Sequence, residues 1–288
     1  MKAIYKRELK SYFHSMIGYV LIAFLVAFAG IYFMAYNLNY GYPYFSYVLS
    51  GITFIFMLVI PVLTMRSFAE EQKNRTDQLL LTAPVSLTDI VLGKYFAMVT
   101  ILAVPCVIYL LFPLIIMTQG TAYITVDYLS IFIFFLLGCV YVAVGMFISS
   151  LTQSQILAAI GTFGILLVLY LWEGILEFLP DTAWMNAVAV SVILSALVFC
   201  VWQMTKNWVI GAGLEAVIII GNILTYIVKS ELYEGLLTQI FEKLSLTDTF
   251  TSITYSSFLD VSGVILYLTF IVLFNFLTMQ MIQKRRWS

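Results

Sequence analysis

LSIFIFFLLGCVYVAVGMFISS, residues 129–150, is the stretch of sequence that decides the fold. It contains no Asp, Glu, Lys or Arg, and a continuous apolar run of about 20 residues is the length that crosses a bilayer as a helix. A membrane β-strand would instead alternate over about ten residues. Lipid offers no hydrogen-bond partner to exposed backbone, so this run predicts a spanning α-helix.

Further apolar blocks repeat this pattern along the chain. Together they predict eight spans, at residues 17–36, 48–65, 95–117, 129–150, 156–173, 187–204, 208–228 and 261–282. The chain is 62% hydrophobic and 10% charged, whereas soluble domains carry about 25% charged residues. We therefore expect an all-α, polytopic transmembrane helical bundle. The sixth and seventh segments are joined only by residues 205–207, so they either cross twice or form a re-entrant pair.

The basic residues predict the orientation of the bundle. Cytoplasmic loops of membrane proteins are enriched in Lys and Arg. With the N-terminus in the cytoplasm, all 14 Lys and Arg residues fall on the cytoplasmic side except Lys229 and Lys243. Adding or removing one span would place Lys284 to Arg286 on the opposite side. We therefore expect an even number of spans and two cytoplasmic termini.

Four regions stand out within a single predicted transmembrane domain, residues 1–288. Residues 1–16 combine apolar and basic side chains at helical spacing and suit an interfacial helix, or else a simple basic flank. Residues 66–94 form the main cytoplasmic loop. Residues 184–228 form a transmembrane hairpin, and residues 229–260 form the largest external segment.

Several classes of catalytic site are missing from the sequence. Gly93-Lys94 is followed by Tyr95, so no phosphate-binding G-x-x-x-x-G-K-[ST] motif is present. His14 is the only histidine, and the three cysteines all lie within apolar blocks, where packing explains them. We expect no catalytic, cofactor or metal site on this chain.

The cytoplasmic loop reads RSFAEEQKNRTDQLLLTAPVSLTDIVLGK, residues 66–94. Ser86 and Asp89 have capping-box spacing, which predicts a helix that begins near Ser86. Pro84 would end any preceding helix. A separate segment, residues 70–82, begins with charged residues and ends with apolar ones. Exposed leucines in such a segment are typical of one that binds a groove on a partner protein, or the membrane surface.

This loop resembles the signature of type-2 ABC-transporter permeases, especially the gliding-motility permease subunit. The matching positions are Phe68, Ala69, Glu70, Glu71, Thr76, Leu80, Leu81, Thr82, Pro84, Val85, Gly93 and Lys94. Arg75 replaces the glycine that the family carries before Thr76. The opening Tyr5 to Leu9 and the tail from Ser257 to Trp287 also resemble the family. Common members have six spans, so the hairpin at residues 184–228 is an addition.

The resemblance implies an exporting membrane subunit in the cell membrane. Two such permeases would form a dimer that works with separate ABC ATPase subunits. The resemblance also implies that ATP and Mg bind the ATPase and that the cytoplasmic loop docks into the ATPase. The alternative is that this loop is simply solvated. The implied coupling residues are Glu70, Glu71, Arg75, Thr76, Asp77, Leu79, Leu80 and Leu81, with Lys6, Arg7 and Glu8 from the N-terminal helix.

Glu215 is the acidic residue placed furthest from the ends of a predicted span, and Asn222 lies seven residues later on about the same face. Intramembrane carboxylates are costly and often functional. The pair therefore marks a candidate intramembrane polar site, or a polar seam against another helix. A secondary transporter or channel without an ATPase is the alternative function, although it would favour more paired intramembrane charges.

Overall fold

The computed structural model describes residues 1–76, 85–180, 182–205, 208–256 and 260–287. These residues form helices joined by short turns, and no strand occurs among them. The chain divides into two compact units. Unit 1 consists of Met1–Tyr170 and Leu246–Ser288, and unit 2 consists of Leu171–Ser245.

The helices are numbered in chain order. They are α1 Lys2–His14, α2 Ile17–Phe33 with a π-helical continuation Met34–Asn39, α3 Ser46–Thr64, α4 Ala69–Lys73, α5 Leu87–Tyr109, α6 Leu111–Gln119, α7 Ile124–Leu151, α8 Gln155–Tyr170, α9 Trp172–Leu176, α10 Ala183–Thr205, α11 Trp208–Val228 followed by a 3₁₀ turn Ser230–Tyr233, α12 Leu236–Glu242, α13 Asp248–Ser256 and α14 Val261–Trp287.

Five helical segments of the described chain are long and apolar enough to cross a membrane. They are Ile17–Asn39, Ser46–Lys73, Leu87–Gln119, Ile124–Leu151 and Val261–Arg285. Shorter apolar helices are present at Gln155–Tyr170, Ala183–Ala196 and Gly213–Tyr226. The all-α prediction is confirmed for the described residues. Eight crossings and two cytoplasmic termini stay predictions.

Helix α7 lies at the centre of unit 1, where α3, α5, α8 and α14 pack around it. Most residues of α7 are buried, and the exposed Phe132 is itself apolar. A helix that faces other helices or lipid has no polar face, which explains why residues 129–150 are apolar on all faces. A Cβ atom added to Gly145 would lie 2.4 Å from Oγ1 of Thr64 on α3. The missing side chain thus allows the close approach of two helices that small residues provide in membranes.

The third apolar block is divided into two helices. Pro105 lies inside α5, but α5 ends at Tyr109 and α6 begins at Leu111. Pro113 has no N–H to donate to the carbonyl of Tyr109, and its ring crowds that carbonyl. The proline therefore explains the break between the two helices.

Candidate functional site

A buried lysine joins three helices at one end of unit 1. Lys94, near the start of α5, has a side chain that is 2% exposed. Its Nζ atom lies 2.9 Å from Oε1 of Glu71 on α4 and 3.3 Å from Oε1 of Glu8 on α1. Nζ also donates to the carbonyl oxygen of Ser67 at 2.7 Å. The ammonium group therefore ties α1 and α4 to α5.

Arg7 completes this group, which we call the ion cluster: Arg7, Glu8, Glu71 and Lys94. Its Nη2 atom lies 2.6 Å from Oε1 of Glu8 and 2.9 Å from Oε1 of Glu71. Partial burial acts to lower the pKa of Arg7, but the hydrogen bonds and charges of Glu8 and Glu71 hold it above its ordinary value. Two cations and two carboxylates thus balance each other. Removing one partner of a buried pair is costly because a charge is left uncompensated.

The N-terminal end of α4 is fastened to α7. The Ser149 hydroxyl accepts the backbone N–H groups of Phe68 at 3.2 Å and Ala69 at 3.1 Å, and it donates to the carbonyl of Met65 at 3.2 Å. The Gln72 side chain donates to the carbonyl of Ser150 at 3.2 Å. The Ser149 hydroxyl thus satisfies two N–H groups that the first turn of α4 leaves free, and Gln72 satisfies a carbonyl in the last turn of α7.

The C-terminal end of α4 closes in a Schellman motif. Arg75 donates its N–H to the carbonyl of Gln72 at 3.2 Å, and Thr76 donates its N–H to the carbonyl of Glu71 at 2.9 Å. Arg75 has a left-handed φ of 56°, the conformation in which glycine is preferred. The helix that begins at Ala69 therefore ends at Lys73, within the predicted segment 70–82.

Helix α1 packs closely against α5. A Cβ atom at Gly93 would lie 3.1 Å from Cγ2 of Ile4, and the hydroxyl groups of Tyr5 and Thr100 lie 3.0 Å apart. The prediction of a helix start near Ser86 is confirmed, because the Ser86 hydroxyl accepts the N–H of Asp89 at the first turn of α5. Gly93 thus permits the contact that brings Lys94 beside α1.

The structure brings some of the coupling residues together. Arg7, Glu8 and Glu71 share the ion cluster, and Glu70 pairs with Arg66 at 2.7 Å on the neighbouring turn. Lys6, Arg75 and Thr76 are exposed beside them. The remaining coupling residues, Asp77, Leu79, Leu80 and Leu81, lie outside the described residues.

Sequence reasoning missed the residues that hold this arrangement. In the sequence, Lys94 stands out only as a position that matches the family, and Ser149 lies unremarked at the end of the apolar run 129–150. The signal for Lys94 is its position, since it lies eight residues into a predicted helix whose following residues are mostly apolar. Nothing in the sequence shows that Ser149 meets α4, because the two lie 80 residues apart.

Glu215 and Asn222 lie in unit 2, where both bond to α10. The Ser195 hydroxyl donates to Oε1 of Glu215 at 2.5 Å. Nδ2 of Asn222 donates to the carbonyl of Ala187 at 3.0 Å, and its Oδ1 accepts the hydroxyl of Tyr233 at 2.6 Å. The two residues therefore form polar bonds between α10 and α11, and a substrate role for them stays a prediction.

The chain matches a family model described as ABC-2 family transporter protein over residues 2–281. No curated protein and no solved structure gives a significant match. The matched range includes the ion cluster and all of unit 2. The chain therefore belongs to the ABC-2 transporter family and is a multi-pass membrane permease of ABC-transporter type.

Proposed function

We propose that this chain is the membrane subunit of an ABC transporter whose ATP is hydrolysed by a separate ATPase subunit. The docking surface for the ATPase consists of α1 and the segment from Arg66 to Leu81. The observation that carries this proposal is the ion cluster, which holds α1 and α4 together beside the start of a spanning helix.

The arrangement suits a coupling element because α4 is fixed at both ends. Ser149 binds its first turn, and the Schellman motif closes its last. A docking surface that is ordered before binding loses less conformational entropy when the partner arrives. Movement of α4 by a partner would then be passed directly to α7 through Ser149 and to α5 through Lys94.

Exposed charges beside α4 give the surface its orientation. Lys6, Lys73 and Arg75 are exposed, whereas the charges of the ion cluster largely neutralise one another. Charges at the rim of an interface mainly steer association and select the partner. The leucines at positions 79–81 supply the apolar contact that fills a groove on the ATPase.

The transport cycle follows from this coupling. ATP and Mg bind the ATPase, and closure of the ATPase dimer shifts α1 and α4 as one body, which biases the permease between two states. The permease works as a homo- or heterodimer in the cell membrane and exports its substrate. It crosses the membrane eight times with both termini in the cytoplasm, as the distribution of Lys and Arg favours.

The alternative is a secondary transporter or channel that needs no ATPase. Such proteins commonly place paired charges along a path near the middle of the membrane. The ion pairs recorded between described residues are instead grouped around α1, α4 and the start of α5. This grouping favours a surface contact over an internal ion path.

The proposal is tested by charging the apolar part of the docking segment. The double variant Leu80→Asp, Leu81→Asp should insert into the membrane normally but lose association with the ATPase in a pull-down from mild detergent. The matched control is Leu232→Asp, Leu244→Asp, two exposed leucines of unit 2, which should bind as the unaltered chain does. Equal association of both double variants would remove the docking assignment.

A further inference from the structure

Unit 2 contains a cleft of about 500 Å³ between α10 and α11. Trp184, Val188 and Val192 line it from α10, and Tyr226 lines it from α11. Trp184 is 55% exposed and Val192 is 62% exposed, so the cleft is open on one side. Ligand sites of proteins have volumes of about 300–1,000 Å³ with mostly apolar walls and a few polar groups.

The two serines of the cleft present acceptors. Ser191 donates its hydroxyl proton to the carbonyl of Val188 at 2.7 Å, and Ser195 donates its proton to Glu215 at 2.5 Å. Each hydroxyl oxygen retains lone pairs once its proton is used. A ligand group placed against these two serines must therefore supply the donor.

Glu215 places a carboxylate directly behind Ser195. No ion pair recorded between described residues involves Glu215. A carboxylate in an apolar helix of a membrane protein is costly unless a cation or strong donors compensate it. The serine supplies one hydrogen bond, and a ligand cation would supply the charge.

Asn222 fixes the shape of the opposite wall. Its amide bonds to the Ala187 carbonyl of α10, and its oxygen accepts the Tyr233 hydroxyl. Because these bonds hold α11 beside α10, Tyr226 stays opposite the α10 side chains. Aromatic faces such as those of Tyr226 and Trp184 attract cations as well as apolar chains.

We propose that this cleft binds a lipophilic amine. The ammonium group donates to Ser195 and is attracted by Glu215, and the hydrocarbon body lies against Trp184, Val188 and Tyr226. The inference rests on the proposed function, because it places unit 2 in the membrane and makes the amine a cargo class of the permease. A fatty acid binds less well in this position, because a carboxylate placed at Ser195 would face the like charge of Glu215.

The test uses the full chain in phosphatidylcholine nanodiscs without the ATPase. A dibrominated octadecylamine is titrated in, and quenching of tryptophan fluorescence reports its binding near Trp184. The matched probe is the dibrominated octadecanoic acid. The amine should quench saturably and the acid should need at least about tenfold higher concentration, since a charge-assisted contact contributes this much.

Variants assign the signal to the cleft. Trp184→Phe should remove the saturable quenching. Glu215→Gln should raise the half-saturating amine concentration about tenfold, and Ser195→Ala should raise it by a smaller factor. Glu242→Gln, which changes an exposed acid of unit 2, should leave this concentration unchanged. Equal quenching by amine and acid, or unchanged amine binding in Glu215→Gln, would overturn the proposal. ATPase association is measured separately on the same variants. All of them should still bind the ATPase, so a loss of amine binding can be told apart from a failure of the proposed function.

Discussion

Nζ of Lys94 lies 2.9 Å from Oε1 of Glu71, and this contact joins the start of a spanning helix to the short helix α4. The lysine side chain is 2% exposed and that of Glu71 is 18% exposed. An ion pair that is this well shielded from water is screened less than one at the surface. It therefore forms a mechanical link between the docking segment and the membrane bundle.

Replacing Lys94 should uncouple that link. Lys94→Met keeps the length of the side chain but leaves Glu8 and Glu71 with Arg7 as their only cation in the ion cluster. We expect the apparent Kd for the ATPase to rise about tenfold, because α1 and α4 are no longer ordered before binding. Binding is measured with purified subunits in nanodiscs.

The control for this variant is Lys243→Met, which removes an exposed lysine of unit 2. It should bind the ATPase with unchanged affinity. Equal affinities for the two variants would show that the ion cluster does not order the docking surface.

Replacing Arg75 by glycine should stabilise the end of α4. Arg75 has a φ of 56°, a conformation that costs a residue with a side chain about 1 kcal/mol. In Arg75→Gly, hydrogen exchange at the Thr76 amide should slow about fivefold, because this amide closes the Schellman motif. Arg75→Lys keeps both the charge and the strain, so it should exchange like the unaltered chain. A glycine variant that exchanges no more slowly than the lysine variant would contradict this account.

Removing the Ser149 hydroxyl should loosen the other end of α4. Ser149→Ala leaves two backbone N–H groups without their acceptor, and loss of such a helix cap costs about 1 kcal/mol. Exchange at the Phe68 and Ala69 amides should accelerate about fivefold. Ser150→Ala is the matched control, because Gln72 bonds to the backbone carbonyl of that residue and keeps its partner. Similar exchange rates in the two variants would remove the role of Ser149.

Filling the space at Gly93 should push α1 away from α5. A Cβ atom there already lies 3.1 Å from Ile4, and overpacking of this kind costs about 1–3 kcal/mol. Gly93→Leu should speed hydrogen exchange along α1 and weaken ATPase association. Gly30→Leu, at a site where a Cβ meets nothing within 4 Å, should do neither. Unchanged exchange in Gly93→Leu would show that α1 does not depend on this contact.

The predicted topology places Asn74 in the cytoplasm and Gln239 outside the cell. Both side chains are exposed. In a background without the native cysteines, Gln239→Cys in whole cells should react with a membrane-impermeant maleimide, and Asn74→Cys should react only after the cells are permeabilised. The opposite pattern would reverse the orientation inferred from Lys and Arg.

Local signals in the sequence predicted the helices well, because helix formation in lipid follows from continuous apolar runs. The Ser86 cap was predicted because it also depends on a local signal, two residues that are three positions apart. The ion cluster was not predicted as a unit, because Lys94 meets Glu8 across 86 positions of the chain. The end of α4 was missed because Arg75 adopts a conformation that its residue type disfavours.

The central claim is that a separate ATPase docks on α1 and the segment from Arg66 to Leu81. The most direct measurement is purification of the tagged chain from its native cell in mild detergent, with mass spectrometry of the proteins that accompany it. The account predicts that an ATPase with a phosphate-binding loop co-purifies and is lost from the Leu80→Asp, Leu81→Asp variant. Recovery of the chain alone, with no response to ATP, would contradict the account and favour a transporter that works without an ATPase.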